Sequence, residues 1–116
     1  MLLTLLSGGP AAAISLPHVF ADCTGRYSAE LEHAWLAQSA DPEILESRRA
    51  RFEDLLESVS SSATRKTLLD QRIRAKAAHT RILGIAFLAG NADRARWARR
   101  RAAVEIGYCE SFLLES

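Results

Sequence analysis

The chain has 116 residues and a mass of 12.8 kDa, with 48% hydrophobic residues, 25% charged residues and a formal net charge of +1. That length holds one domain and excludes a multidomain enzyme, and the apolar and charged fractions exclude a disordered chain. Six Gly and three Pro leave little turn material for a strand-rich fold, so the composition points to helices.

Residues 1–21 contain no Lys, Arg, Asp or Glu. Leu2, Leu3, Leu5 and Leu6 open an apolar run that ends in Val19-Phe20-Ala21, with small or β-branched residues where signal peptidase reads them. The expectation is a signal peptide over residues 1–21, cleaved after Ala21, and a helical domain over residues 22–116. A basic segment ahead of the apolar run is missing, so the start lies further upstream or the signal is atypical. A retained anchor is the competing reading, but Gly8-Gly9-Pro10 and Pro17 interrupt the roughly 20 apolar residues a span requires. A lipid-anchored start is disfavoured by Asp22 ahead of Cys23, and a buried core helix would lack a polar face. The two cysteines, Cys23 and Cys109, allow one intramolecular bridge, which an oxidising compartment favours. The alternative is two separate buried thiols.

Four helices follow in chain order. Tyr27, Leu31, Ala34 and Gln38, with Trp35, mark a short first one. Asp41-Pro42-Glu43 starts the second, because Asp caps free amides, Pro is pre-set for the first turn and Glu suits the helix dipole. Its stripe is Leu45, Arg48, Phe52, Leu55 and Val59. Ser60-Ser61-Ser62 breaks the chain before a third helix from Ala63 to Ala89, with a stripe of Leu69, Ile73, Ala77, Thr80, Gly84 and Phe87. Past Ile82 this helix is apolar on nearly all sides, so its end should be deeply buried or face a partner. Gly90-Asn91 stops it and caps the fourth, whose stripe is Ala95, Ala98, Ala102, Ile106, Cys109 and Leu113. Short connections favour an up-down antiparallel four-helix bundle. Such a topology brings the start of the first helix to the end of the last, where Cys23 and Cys109 lie, so one disulfide would close it.

Chemistry is thinly supported. Glu30-Leu31-Glu32-His33 holds one Glu-x-x-His pair, but a di-iron bundle needs two such pairs and two more carboxylates. A pair on the helix flank, Arg26 with Glu30 and His33, is the plainer reading. No Cys-x-x-Cys-His, Gly-x-Ser-x-Gly or glycine-rich phosphate loop occurs, so neither an enzyme nor a cofactor is expected.

Charge is the informative feature. Residues 22–60 carry four basic and nine acidic side chains, residues 61–101 eleven basic and two acidic, and residues 102–116 three acidic and none basic. The density peaks at Arg94, Arg96, Arg99, Arg100 and Arg101, around Trp97. Arg96, Arg99 and Arg100 should project opposite the alanine stripe, and Trp35 and Trp97 should sit toward the same end. A solvated face is one reading, or one balanced by acidic residues of the first two helices. The functional reading is a periplasmic or secreted interaction module that binds an acidic protein partner through these residues. An anionic membrane surface is a further option, and nucleic acid one only if the chain is not exported. The alternative function is a periplasmic metal- or small-ligand-binding bundle, which would need His33 and His79 aimed at each other.

Overall fold

The structure, a computed structural model, describes residues 14–38, 41–88 and 90–113. Residues 1–13 of the expected signal, and Ala89 at the expected end of the third helix, lie outside the described residues. Four helices follow one another: α1 (Leu16–Ala37), α2 (Pro42–Val59), α3 (Arg65–Leu88) and α4 (Ala92–Ser111). The Ser15 side chain caps α1 at the His18 amide, with Pro17 in the first turn. Asp41 caps α2 at the Glu43 amide, and Asn91 caps α4 at the Arg94 amide, as the sequence predicts. Gln38 ends α1 in the left-handed region, at φ 54°, where its amide donates to the Ala34 carbonyl.

The result is an antiparallel four-helix bundle in which α1 is the hub. Glu53 and Glu57 of α2 meet Arg72 and Arg65 of α3 in reverse order, at 2.8 and 3.2 Å. Asp22 and Glu30 of α1 meet Gln71 and His79 of α3 in the same order, so α1 and α3 run parallel. These two are diagonal neighbours in an up-down bundle, yet they share the most extensive contact in the fold. Among the described residues α2 makes no close backbone approach to α3 or α4, and reaches them through ion pairs. The bundle is therefore squeezed along one diagonal.

Small residues on α1 permit the squeeze. A Cβ on Gly25 would lie 2.3 Å from the Arg72 carbonyl oxygen and 2.9 Å from the Lys76 nitrogen. Glycine inside a helix costs about 1 kcal/mol against alanine, and here it admits the α3 backbone. Its neighbours Thr24 and Ser28 are buried hydroxyls that donate to the Phe20 and Thr24 carbonyls of their own helix, so neither is left unsatisfied.

At one end the core is aromatic. Tyr27 stacks on Phe52, Phe52 meets Phe20, Phe20 meets Phe112 edge-on, and Phe112 meets Tyr108. Cys23 and Cys109, fully buried among them, form a disulfide with their Cα atoms 5.7 Å apart. The expected bridge and the topology that brings its cysteines together are both present.

Two expectations change. First, α1 begins at Leu16 rather than near Tyr27, and it runs through Ala21 and Asp22 without a break. Val19, Phe20 and Ala21 are buried in the core, so the boundary drawn after Ala21 falls inside a packed helix. Second, the buried side of α3 is Leu68, Ala75, His79, Leu83 and Ala86, one step from the expected stripe. Leu69, Ile73 and Phe87 are about half exposed, and Ala77 and Thr80 are exposed. The close diagonal accounts for part of the shift: where α3 crosses Gly25 of α1 it presents Ala75, and His79 one turn later is held by Arg26 and Glu30 of α1. The stripes expected for α2 and α4 hold, with Leu56 joining the first.

Candidate interaction surface

The alanine stripe of α4 faces inward, which leaves the arginines outside. Arg94, Arg96, Arg99, Arg100 and Arg101 are all exposed, and Trp97 is 52% exposed. Trp35 and Trp97 are both exposed, on helix ends that the topology brings to one end of the bundle.

The arginines differ in what holds them. Arg96 pairs with Asp93, and Arg101 with Glu105 at 2.9 Å, both on α4 itself. Exposed pairs of this kind contribute a few tenths of a kcal/mol. Arg94 and Arg100 have no side-chain partner among the described residues. Arg99, exposed as expected, lays its guanidinium 5.3 Å from the centroid of the Phe87 ring on α3. The acidic residues of α1 and α2 do not compensate this helix. Glu32 goes to Lys76, Glu53 to Arg72 and Glu57 to Arg65, all on α3, and no ion pair joins an acid of α1 or α2 to α4 among the described residues. Arg26 of α1 even shares Glu105 with Arg101, at 3.6 Å.

The sequence reading missed a second stripe on the same helix. Arg94, Trp97, Arg101, Val104 and Tyr108 recur at spacings of 3, 4, 3 and 4, the signature of one helical face. Trp97, Val104 and Tyr108 are each about half or more exposed. The spacing is legible in the sequence, beside an alanine stripe that already supplies the helix with an inward face.

The histidines do not form a ligand set. His79 is fully buried, with Nδ1 3.0 Å from an Arg26 nitrogen and Nε2 2.7 Å from a Glu30 oxygen. A guanidinium only donates, so Nδ1 accepts from Arg26 and Nε2 donates to Glu30. Both nitrogens are thus occupied and neither is free for a metal or a proton transfer. His33 instead packs against Phe87, with ring centroids 4.6 Å apart. Arg26 turns away from Glu30 and His33, bonding Asp22 at 2.9 Å and His79, so the expected flank pair is absent. No group of three or more His, Cys, Asp or Glu side chains is placed to hold a metal among the described residues.

The Tyr27 phenol is displaced from its ordinary titration range. Burial pushes its phenol above the ordinary range, partly opposed by the positive charge of Arg48. Its hydroxyl is buried without a well-formed hydrogen bond. Among the described residues no helix is long and apolar enough to cross a membrane. Comparison of the chain with protein-family models, with curated proteins and with solved structures returns no match.

Proposed function

We propose that this protein is a small exported binding module, without catalytic chemistry, that engages an acidic protein partner through the outer face of α4. The observation that carries the reading is the disposition of charge. Glu32, Glu53 and Glu57 of α1 and α2 pair with α3, while Arg94 and Arg100 stand unpaired beside exposed Trp97, Val104 and Tyr108. Aromatic and arginine side chains together are the residue types that anchor protein interfaces. Like charges at helical spacing, close to the positive end of the helix dipole, cost stability, and a partner's carboxylates would offset that cost. The Cys23–Cys109 bridge supports an oxidising compartment, periplasmic or extracellular. In that compartment the chain would not meet nucleic acid, and an anionic membrane surface offers the same charge complement as an acidic protein.

The test is co-purification from the native host with the wild-type chain and with an Arg94→Gln, Arg96→Gln, Arg100→Gln variant. The expected result is a protein retained by the wild type at low salt, released as salt rises, and lost from the variant. A partner held equally by both would end this reading. Retention of the wild type alone on anionic vesicles, with no protein retained, would replace the protein partner by a membrane.

A further inference from the structure

A groove of about 310 Å³ opens between α1, α3 and α4, away from the outer stripe of α4. Its walls are apolar: Leu83 and Phe87 from α3, Ala102 and Ile106 from α4. Two charged side chains also line it, Glu30 from α1 and Arg99 from α4. The volume lies at the small end of the range for ligand pockets.

Neither charge is exhausted by the protein. Glu30 accepts from His79 through Oε2, and Oε1 has no protein partner among the described residues. The Arg26–His79–Glu30 chain of hydrogen bonds holds that carboxylate in one orientation from below. Arg99 makes no ion pair and rests on the Phe87 ring, whose face leaves its N–H groups available. A ligand covering the groove removes water from both groups. Covering a charge without supplying a counter-charge is costly. An aliphatic acid would answer Arg99 and leave Glu30 unpaired, and an aliphatic amine would do the reverse. The occupant that answers both carries an ammonium and a carboxylate joined by apolar bulk.

We propose that this groove binds a short apolar peptide with both termini free, its ammonium on Glu30, its carboxylate on Arg99 and its side chains against Leu83, Phe87 and Ile106. This site is independent of the partner surface, because Arg94, Arg96 and Arg100 do not line it.

The probes are leucine dipeptide and tripeptide, each with free, N-acetylated or C-amidated ends, titrated into the full chain by amide NMR. A peptide with free ends should saturate one site and move the resonances of Leu83, Phe87, Ala102 and Ile106. Either cap should weaken it about tenfold or more. Arg99→Gln should erase the difference between free and amidated ends, and Glu30→Gln the difference between free and acetylated ends. Gln at position 30 can still accept from His79, and Arg99→Gln on the exposed face gives a readout that does not depend on that buried network. Arg96→Gln should leave binding unchanged. Capped peptides binding as tightly as free ones would overturn the proposal. So would no saturable binding of any of them, or tighter binding of decanoate than of the tripeptide.

Discussion

The two ends of the bundle are built on different terms. At the cystine end, Phe20, Tyr27, Phe52 and Phe112 pack around a buried disulfide. At the other end, Leu36 and Leu88 are 88% and 85% exposed, Trp35 and Trp97 are about half exposed, and the inward face of α4 is alanine. Burial scales with apolar area removed from water, roughly 25 cal/mol per Å², so the aromatic end must carry most of the stability. The open end keeps large apolar and cationic groups where they contribute little to the fold. Stability is thus concentrated at the cystine end and the exposed arginines at the other, with Tyr108 of the outer α4 face reaching the aromatic end through Phe112, and each substitution below tests that division.

The largest effect should come from shortening the aromatic end. A chain that begins at Asp22 lacks Val19, Phe20 and Ala21, all buried. Large-to-small changes at such positions cost about 3–5 kcal/mol for a phenylalanine alone. Chemical denaturation should find that chain less stable by more than about 5 kcal/mol than one that begins at Ile14. Equal stability would make the opening turns of α1 dispensable and fit a mature start at Asp22.

Removing the bridge comes next. The loop it closes spans 86 residues, for which chain entropy gives about 4–5 kcal/mol. Cys23→Ser with Cys109→Ser should lose that much in urea. Trp97→Ser at the open end should move the same midpoint by no more than about 0.5 kcal/mol.

Gly25→Ala tests the squeezed diagonal. The added Cβ meets backbone rather than a yielding side chain, so α1 and α3 must separate. Overpacking of this kind costs about 1–3 kcal/mol, against the roughly 1 kcal/mol alanine would gain in helix propensity. A net stabilisation would show that the two helices can part freely.

Tyr27 gives a pH signature. Its phenol is held above the ordinary value of 10.0 in the folded state. Its contribution is therefore fully present below pH 10, where both states keep the proton. It is lost as pH rises through the folded value, because the unfolded chain ionises first. Tyr27→Phe should flatten the alkaline fall in stability. At neutral pH the change should cost little, since the hydroxyl has no well-formed hydrogen bond to lose. A steep alkaline fall that persists in Tyr27→Phe would place its origin elsewhere.

How much of this was legible depended on where packing is ordinary. The α2 and α4 stripes could be read because their inward residues are apolar at helical spacing and their neighbours are charged. The caps Asp41 and Asn91 are local chemistry and needed no tertiary information. The face of α3 was not legible. Its larger apolar residues Leu69, Ile73 and Phe87 stay about half exposed, and its buried side carries His79, whose partners Arg26 and Glu30 come from another helix. Along Cys23-Thr24-Gly25-Arg26-Tyr27-Ser28 a disulfide, a tight helix contact and a buried hydrogen-bond network meet, and each depends on partners from other helices. The groove at Glu30 and Arg99 was equally hidden, because it joins residues 69 positions apart.

The division between the two ends rests most directly on the arginines of α4. The deciding measurement is the unfolding free energy, at low salt, of the Arg94→Gln, Arg96→Gln, Arg100→Gln variant beside the wild type. If the outer face of α4 serves recognition, relieving like-charge repulsion should leave stability unchanged or raise it by a few tenths of a kcal/mol. A loss of more than about 1 kcal/mol, beyond what exposed charges ordinarily contribute, would show that these arginines serve the fold and would contradict the account.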